Sequence, residues 1–395
     1  MKSPRNYRIL ILAQFLQGIV FYAPVATLYR QAYGLDLQGL FLIESISWIL
    51  TLAFEAPWGR VADRIGYKKT LLLGNILFFS SKIVFATASG FWAFLAERCV
   101  LALAISALSG CSDALLYRSV GPDASPKAFG RLQAAGVVGL LLSSATSPLI
   151  YSISLRAAAW ATAIPYAIAT LLTFCLVDLG EEGHGDAARG PRGLKEALKS
   201  LWADKGLLAF VAIGALVQEA SHAATVFLAP LQLARSGLAQ ASFGPLFAIV
   251  QAAALAAAAS GRISAAFGRA RTLRILVVAE CLALAALALS SDATISVAAL
   301  VVAQAAAALF MPLSCAIQND RVRGSERATA LSVNAMVAEL VGAAVNVGVG
   351  QAAGLSLPIC FGSLGMLLGM ALAGASISRS SILALEPRPP KTDSL

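Results

Sequence analysis

The sequence predicts an all-α polytopic membrane protein, with twelve transmembrane helices in two pseudo-symmetric six-helix bundles, and three observations lead there. Composition is the first: of 395 residues, 58% are hydrophobic and only 13% charged, with a mean hydropathy of +0.76. A soluble domain carries about 25% charged residues, and helices that are apolar all round need lipid or complete burial. Spacing is the second, because apolar runs of about 20 residues, enough to cross a bilayer, recur twelve times. The third is the placement of Lys and Arg, which concentrates on alternate loops.

The elements follow in order. Met1–Arg8 is short and basic and leads straight into apolar residues without a small-residue cleavage site, so the first span is expected to be retained rather than removed as a signal. The spans fall at roughly 8–29, 37–58, 70–89, 91–117, 128–152, 157–178, 206–234, 240–260, 273–290, 294–318, 328–352 and 356–377. The ten-residue alternation of a membrane β-barrel does not occur. The longest interruption, 179–205, separates an N-terminal bundle (1–178) from a C-terminal bundle (206–378), which is followed by a tail (379–395). This linker starts polar and Gly-rich ("GEEGHGDAARGPRG", with His184 given no role). It continues as "LKEALKSLWADK", which reads as a short amphipathic helix on the membrane surface.

With the N-terminus in the cytoplasm, 25 of the 30 Lys and Arg residues fall on cytoplasmic segments, three (Arg30, Arg156, Arg235) on outer segments, and Lys82 and Arg98 inside spans. That asymmetry is the positive-inside rule. It places both termini in the cytoplasm and the chain in the inner (plasma) membrane as a multi-pass protein. It also accounts for the net charge of +9 without nucleic acid. All six cysteines lie in apolar stretches and none forms a close pair, and there are two histidines. Disulfides and a metal site are therefore not expected. Neither is an enzyme, since no nucleophile–base or metal constellation is present.

One stretch recurs. "GRVADRIGYKK" (Gly59–Lys69), shifted by 202 residues, lies over "GRISAAFGRAR" (Gly261–Arg271), each after the second span of its half. A long-period repeat of this kind points to duplicated halves. The sequence resembles the major facilitator superfamily of transporters. Gly59, Arg60, Asp63, Arg64, Gly66, Lys68 and Lys69 match that family's signature between helices two and three, and "SGCSDALLYRSV" and "ERATALS" are similar to further family segments. Independently of the resemblance, Gly59 and Gly66 are expected to permit a tight turn and close backbone approach, and the basic residues to hold the loop in the cytoplasm. The resemblance implies that Asp63 latches the cytoplasmic ends in the outward-open state. Arg118, at the end of span four, is the candidate partner, and the alternative is a plain topology anchor. Ala265 replaces Asp63 in the second copy, so that latch is weak or absent.

Charges inside a bilayer cost about 2.5 to 3.5 kcal/mol each on insertion scales, so each needs a reason. Glu219 and His222 on span seven are three apart, on one helical face. The resemblance implies that helices one, four, seven and ten line a central cavity. There Glu219 suits reversible protonation, with His222 sharing or relaying the proton, or the two form a polar pair tying span seven to a neighbour. Glu339 on span eleven, with Asn334 and Asn346 on the same helix, is the second candidate, as proton carrier or as a dock for a cationic group. Glu44, Lys82, Glu97 and Arg98 fall at similar depth. They read either as a self-neutralising network or, through Arg98, as a proton relay; the resemblance supplies an arginine here, with its following motif incomplete. Asp113 and Glu55 are assigned to inner gating, and Glu280 on span nine to structure. Gln14, Gln17 and Tyr22 on helix one, and less strongly Tyr117 and Gln251, could hydrogen-bond a ligand. Gly365, Gly369 and the run Ala252–Ala259 read as helix packing.

The function expected is secondary active transport of a small organic molecule by alternating access, proton-coupled efflux first and proton-coupled nutrient uptake second. A non-transporting membrane sensor is a distant third. The antiporter motif implied by the resemblance on span five is incomplete: Gly136, Gly139 and Pro148 lack its spacing. The energy source is the proton gradient, with no cofactor, and the partners are the substrate, protons and lipid. A monomer is expected, and the central acids suggest a cationic or amphipathic compound.

Overall fold

The computed structural model describes residues 3–179, 199, 201–321 and 327–377. Twelve helices in it are long and apolar enough to cross a membrane, and no strand occurs among the described residues. In chain order they are α1 Pro4–Ala32, α2 Leu37–Ile65, α3 Tyr67–Thr87, α4 Gly90–Val120, α5 Ser125–Thr146 and α6 Leu155–Phe174, then α7 Lys205–Phe227, α8 Gln240–Phe267, α9 Arg269–Leu289, α10 Ala293–Arg321, α11 Thr329–Leu355 and α12 Leu357–Gly374. Every expected span is met. The main differences are at ends: α2 runs through the charged residues to Ile65, because a hydrogen-bonded helix does not stop where its hydropathy falls. Half of the expected linker helix and the whole of the tail lie outside the described residues.

The chain divides into two compact units, Met1–Ala187 with Leu233–Ile249, and Ala188–Gln232 with Val250–Leu395. The segment 233–249, which sequence reasoning placed in the second half, belongs to the first unit for a local reason. The Gly244 N–H donates to Tyr151 Oη at 3.1 Å, and Tyr151 Oη donates to the Gln240 carbonyl at 2.9 Å. A Cβ on Gly244 would strike the Ser144 carbonyl.

In the first unit α3 packs on α4 and α6, α2 on α4, and α1 on α5 and α6. The α1–α5 contact is backbone to backbone. A Cβ on Gly18 would collide with the Gly136 carbonyl, and one on Gly139 with the Phe15 carbonyl. Small residues that let helices approach this closely are the main packing device where lipid supplies no hydrophobic drive. In the second unit α9 packs on α10 and α12, and α7 on α11. A Cβ on Gly365 would meet Leu284 Cβ at 3.5 Å, while Gly369 faces open space, so only the first of the expected packing pair makes a close contact.

Three helices depart from α geometry. α1 is interrupted after Gly18 and resumes through a 3-10 turn, Ala23–Val25, before Ala26. The freed groups find side-chain partners: Val20 N–H donates to Ser143 Oγ (3.0 Å), Phe21 N–H to Thr162 Oγ1 (3.0 Å), and the Gln17 carbonyl accepts from Tyr166 Oη (2.6 Å). In α7, Ala223–Phe227 forms a π turn, closed by Leu228 N–H to the Ala223 carbonyl at 2.8 Å. Shifted by the repeat of 202, residues 19–25 map onto 221–227, so the first helix of each half is irregular at the same place. The run Ala253–Ala259 in α8 is 3-10. Seven such residues is long for this geometry, which seldom exceeds 3–4.

Candidate functional site

In the first unit the first polar cluster is an ion triad. Arg98 on α4 pairs with Glu44 on α2, and its Nε lies 3.7 Å from Glu97 Oε2. The side chains of Glu44 and Glu97 are 7% and 1% exposed, so the triad is inside the protein. Arg30, also buried, lies within electrostatic reach of all three. The expected network thus holds for Glu44, Glu97 and Arg98, with one correction. Lys82 is not in it. Its Nζ donates to Tyr22 Oη at 3.1 Å and sits among the rings of Phe78, Tyr166 and Tyr22 at 5.0, 5.0 and 5.8 Å. The reason is rotational: the interruption of α1 brings Tyr22 against α3, stacked on Phe85 at 4.1 Å. Gln17 Nε2 donates to Asn75 Oδ1 at 2.6 Å, tying α1 to α3 below that point. Gln14 lies against Gly136, its Nε2 3.0 Å from where a Cβ would stand.

The second unit carries the expected pair on α7. Glu219 is 6% exposed, and its Oε1 lies 3.8 Å from His222 Nδ1 without a hydrogen-bond partner. The His222 ring is edge-on to Phe227 at 5.0 Å, inside the π turn. A Cβ on Gly342 of α11 would meet Glu219 Oε2 at 3.2 Å. Gly342 is a residue that sequence reasoning missed, and only the α7–α11 packing reveals it. Glu339 is half-buried on the same helix, one turn earlier. Gln304 of α10, also missed, accepts from Thr225 Oγ1 (2.9 Å) and Ser221 Oγ (3.5 Å) and donates to Gln251 Oε1 of α8 (3.4 Å). Asn346 and Glu280 are fully buried, with side-chain polar atoms lacking a hydrogen-bond partner. Asn334 instead donates to Gln318 Oε1 at 3.1 Å. π turns cluster at functional sites in helices, and this one begins immediately after the Glu219/His222 pair.

The repeated signature turns out to be a helix end and a one-residue joint. Gly66 (φ +85°) and Gly268 (φ +81°) each end one helix and start the next. Gly59 and Gly261 lie inside helices with open space where a Cβ would be, so the tight turn and close approach expected of Gly59 are not there; Gly66 alone supplies the turn. Asp63 and Asp113 are exposed, and Asp63 makes no ion pair among the described residues. The Arg118 guanidinium stands 5.7 Å over the Tyr67 ring. The repeat maps Tyr67 and Arg118 onto Arg269 and Asp320, which form an ion pair at 2.6 Å. The same contact between the start of the third helix and the end of the fourth is thus cation–π in one half and ionic in the other. Arg60 Nε donates to the Ala56 carbonyl at 3.4 Å. Arg64, Lys68 and Lys69 flank the joint.

Residues 10–346 match the sequence profile of the Major Facilitator Superfamily. The chain belongs to that family. Among relatives, an uncharacterized MFS-type transporter, YxaM of Bacillus subtilis, is 26% identical over 251 residues, covering 59% of this chain and 60% of that protein. The multidrug resistance protein MdtG of Salmonella arizonae is 29% identical over 181 residues, 44% of this chain and 45% of MdtG. The chain thus matches 45 to 60% of the length of these curated relatives. A solved structure of a nucleoside transporter NupG variant superposes with a TM-score of 0.80 at 17% identity, covering 93% of this chain and 99% of NupG. A bacterial homolog of the lysosomal transporter Spinster, inward-facing and unoccupied, gives 0.68 at 17% identity, covering 98% of this chain and 95% of that one. At these identities the likeness concerns the fold. This superfamily protein is a multi-pass membrane protein with the family's twelve-helix architecture.

Proposed function

We propose that this superfamily member is a secondary active transporter of the inner membrane, with both termini cytoplasmic, exporting a small organic molecule in exchange for protons by alternating access. The observation that carries the reading is Glu219. It is a buried carboxyl with one oxygen unbonded, next to a half-exposed histidine, at the start of a π turn and against a glycine of α11. Its ionisable neighbour, His222, lies 3.8 Å away, so a proton gained or released at that oxygen breaks no hydrogen bond. Glu339, one turn from Gly342, is the second proton-exchanging carboxyl. A proton moving down the membrane potential supplies about 2.3 kcal/mol per 100 mV, enough to drive useful accumulation. The MdtG relative is named for multidrug resistance, which supports export, whereas the NupG neighbour is named for nucleosides, which favours uptake as the second reading. Asp63, exposed beside the Gly66 joint, is the latch residue of the cycle.

Everted membrane vesicles with an imposed proton gradient, read by a quenched dye, test the assignment against a panel of compounds. A compound that dissipates the gradient with the wild type and not with Glu219→Gln is the expected result. Uphill transport that survives in Glu219→Gln overturns the coupling role.

A further inference from the structure

The buried charges of the first unit do not balance. Arg98 is neutralised by Glu44 and Glu97, and Arg30 shares their field. That leaves the Lys82 ammonium, 4% exposed, with no carboxylate partner among the described residues. An ammonium has three donors and no acceptor. Only one is used, toward Tyr22 Oη. The Tyr166 hydroxyl donates to the Gln17 carbonyl at 2.6 Å, and Lys82 meets Tyr166 at its ring. Three aromatic rings within 6 Å attract the cation through their faces but carry no net charge to neutralise a buried ion. The position lacks an anion. It lies beside the interruption in α1, whose Tyr22 it contacts, and the residues from Gln14 to Phe21 are each partly exposed.

We propose that Lys82 is the docking point for an anionic oxygen group, a carboxylate or a phosphate ester, on a small organic compound whose apolar part rests on the rings of Tyr22, Phe78 and Tyr166. This rests on the transporter reading and names the class of its substrate: an organic anion rather than the cation that the central acids suggest. Asn75 and Gln17, bonded to each other at 2.6 Å, fix α1 against α3 beside the three rings.

The test is reductive methylation of the purified full-length protein, followed by mass spectrometry of the peptide containing Lys82. Benzoate and phenyl phosphate serve as probes, and benzamide is the neutral control, all at constant ionic strength. At about 50 mM, a probe with Kd of about 5 mM fills about 90% of the sites, so labelling of Lys82 is expected to slow about tenfold with at least one acid and not with benzamide. Lys68 and Lys69 should label at unchanged rates. Benzoate alone, phenyl phosphate alone or both slowing the reaction identifies the group. Equal protection by benzamide, or none by either acid, overturns the proposal. So does a Lys82 that stays unlabelled while the unfolded chain labels fully, because a sealed ammonium cannot dock a ligand. Flux in vesicles without protection of Lys82 refutes this site and leaves the transporter reading standing. Protection without flux of any acid does the reverse.

Discussion

Replacing Arg98 with glutamine removes the one cation that contacts both Glu44 and Glu97 among the described residues. The two carboxylates then remain buried, at 7% and 1% side-chain exposure, without their counter-ion. Breaking a buried ion pair from one side costs about 3–5 kcal/mol, because the cost is that of the charge left behind. Arg30 lies in the same field and takes over part of the compensation, so the lower end, about 3 kcal/mol, is the expected loss. The double variant Glu97→Gln, Arg98→Gln removes one charge of each sign, leaves Glu44 facing Arg30, and should cost clearly less than the single change, a non-additivity diagnostic of one coupled unit. Equilibrium loss of helicity in mixed micelles of increasing denaturing-detergent fraction measures both. At 1.4 kcal/mol per decade, the single variant should shift the unfolding equilibrium by roughly 100-fold. A single variant within about 0.5 kcal/mol of wild type, in the range of an ordinary surface change, would refute the reasoning. So would a double variant less stable than the single one.

Two further changes separate what glycine does at different places. Gly66→Ala should cost about 1–3 kcal/mol, because φ +85° with ψ 156° is a region that L residues scarcely enter. Gly59→Ala, inside α2 and facing open space, should be neutral or stabilising by up to about 1 kcal/mol; the same micelle titration reads both. Gly139→Val should yield little monodisperse protein on size exclusion, since its Cβ would meet the Phe15 carbonyl and overpacking against backbone costs about 1–3 kcal/mol or more.

The twelve helices were legible because hydropathy over about 20 residues is a strong signal, and the repeat was legible because the Gly66 and Gly268 joints leave the same mark in both halves. The triad was half legible: the depth of Glu44, Glu97 and Arg98 followed from counting along spans. Lys82 sat at the same depth but rotated away to Tyr22, and helical phase between neighbours is set by packing that one sequence does not show. The interruption of α1 carries a local sign in Pro24, yet the π turn "AATVF" holds no Gly or Pro to announce it. Gly342, Gln304 and Tyr166 matter through contacts with residues far away in the chain. Their partners are chosen by the tertiary fold, so no local pattern marks them.

The one-residue joints at Gly66 and Gly268 leave no slack between the helices they connect. Each α residue turns the chain by about 100° and advances it by about 1.5 Å. One inserted residue there would swing the whole of α3 or α9 to a new azimuth, carrying Asn75 and Lys82, or Glu280, away from their neighbours. The connection from Val120 to Ser125, four residues between helix ends, has play to absorb such a change. Helices two and three, and eight and nine, are therefore joined with no spare residue, and an insertion scan across the chain should find the two joints as narrow zones of intolerance.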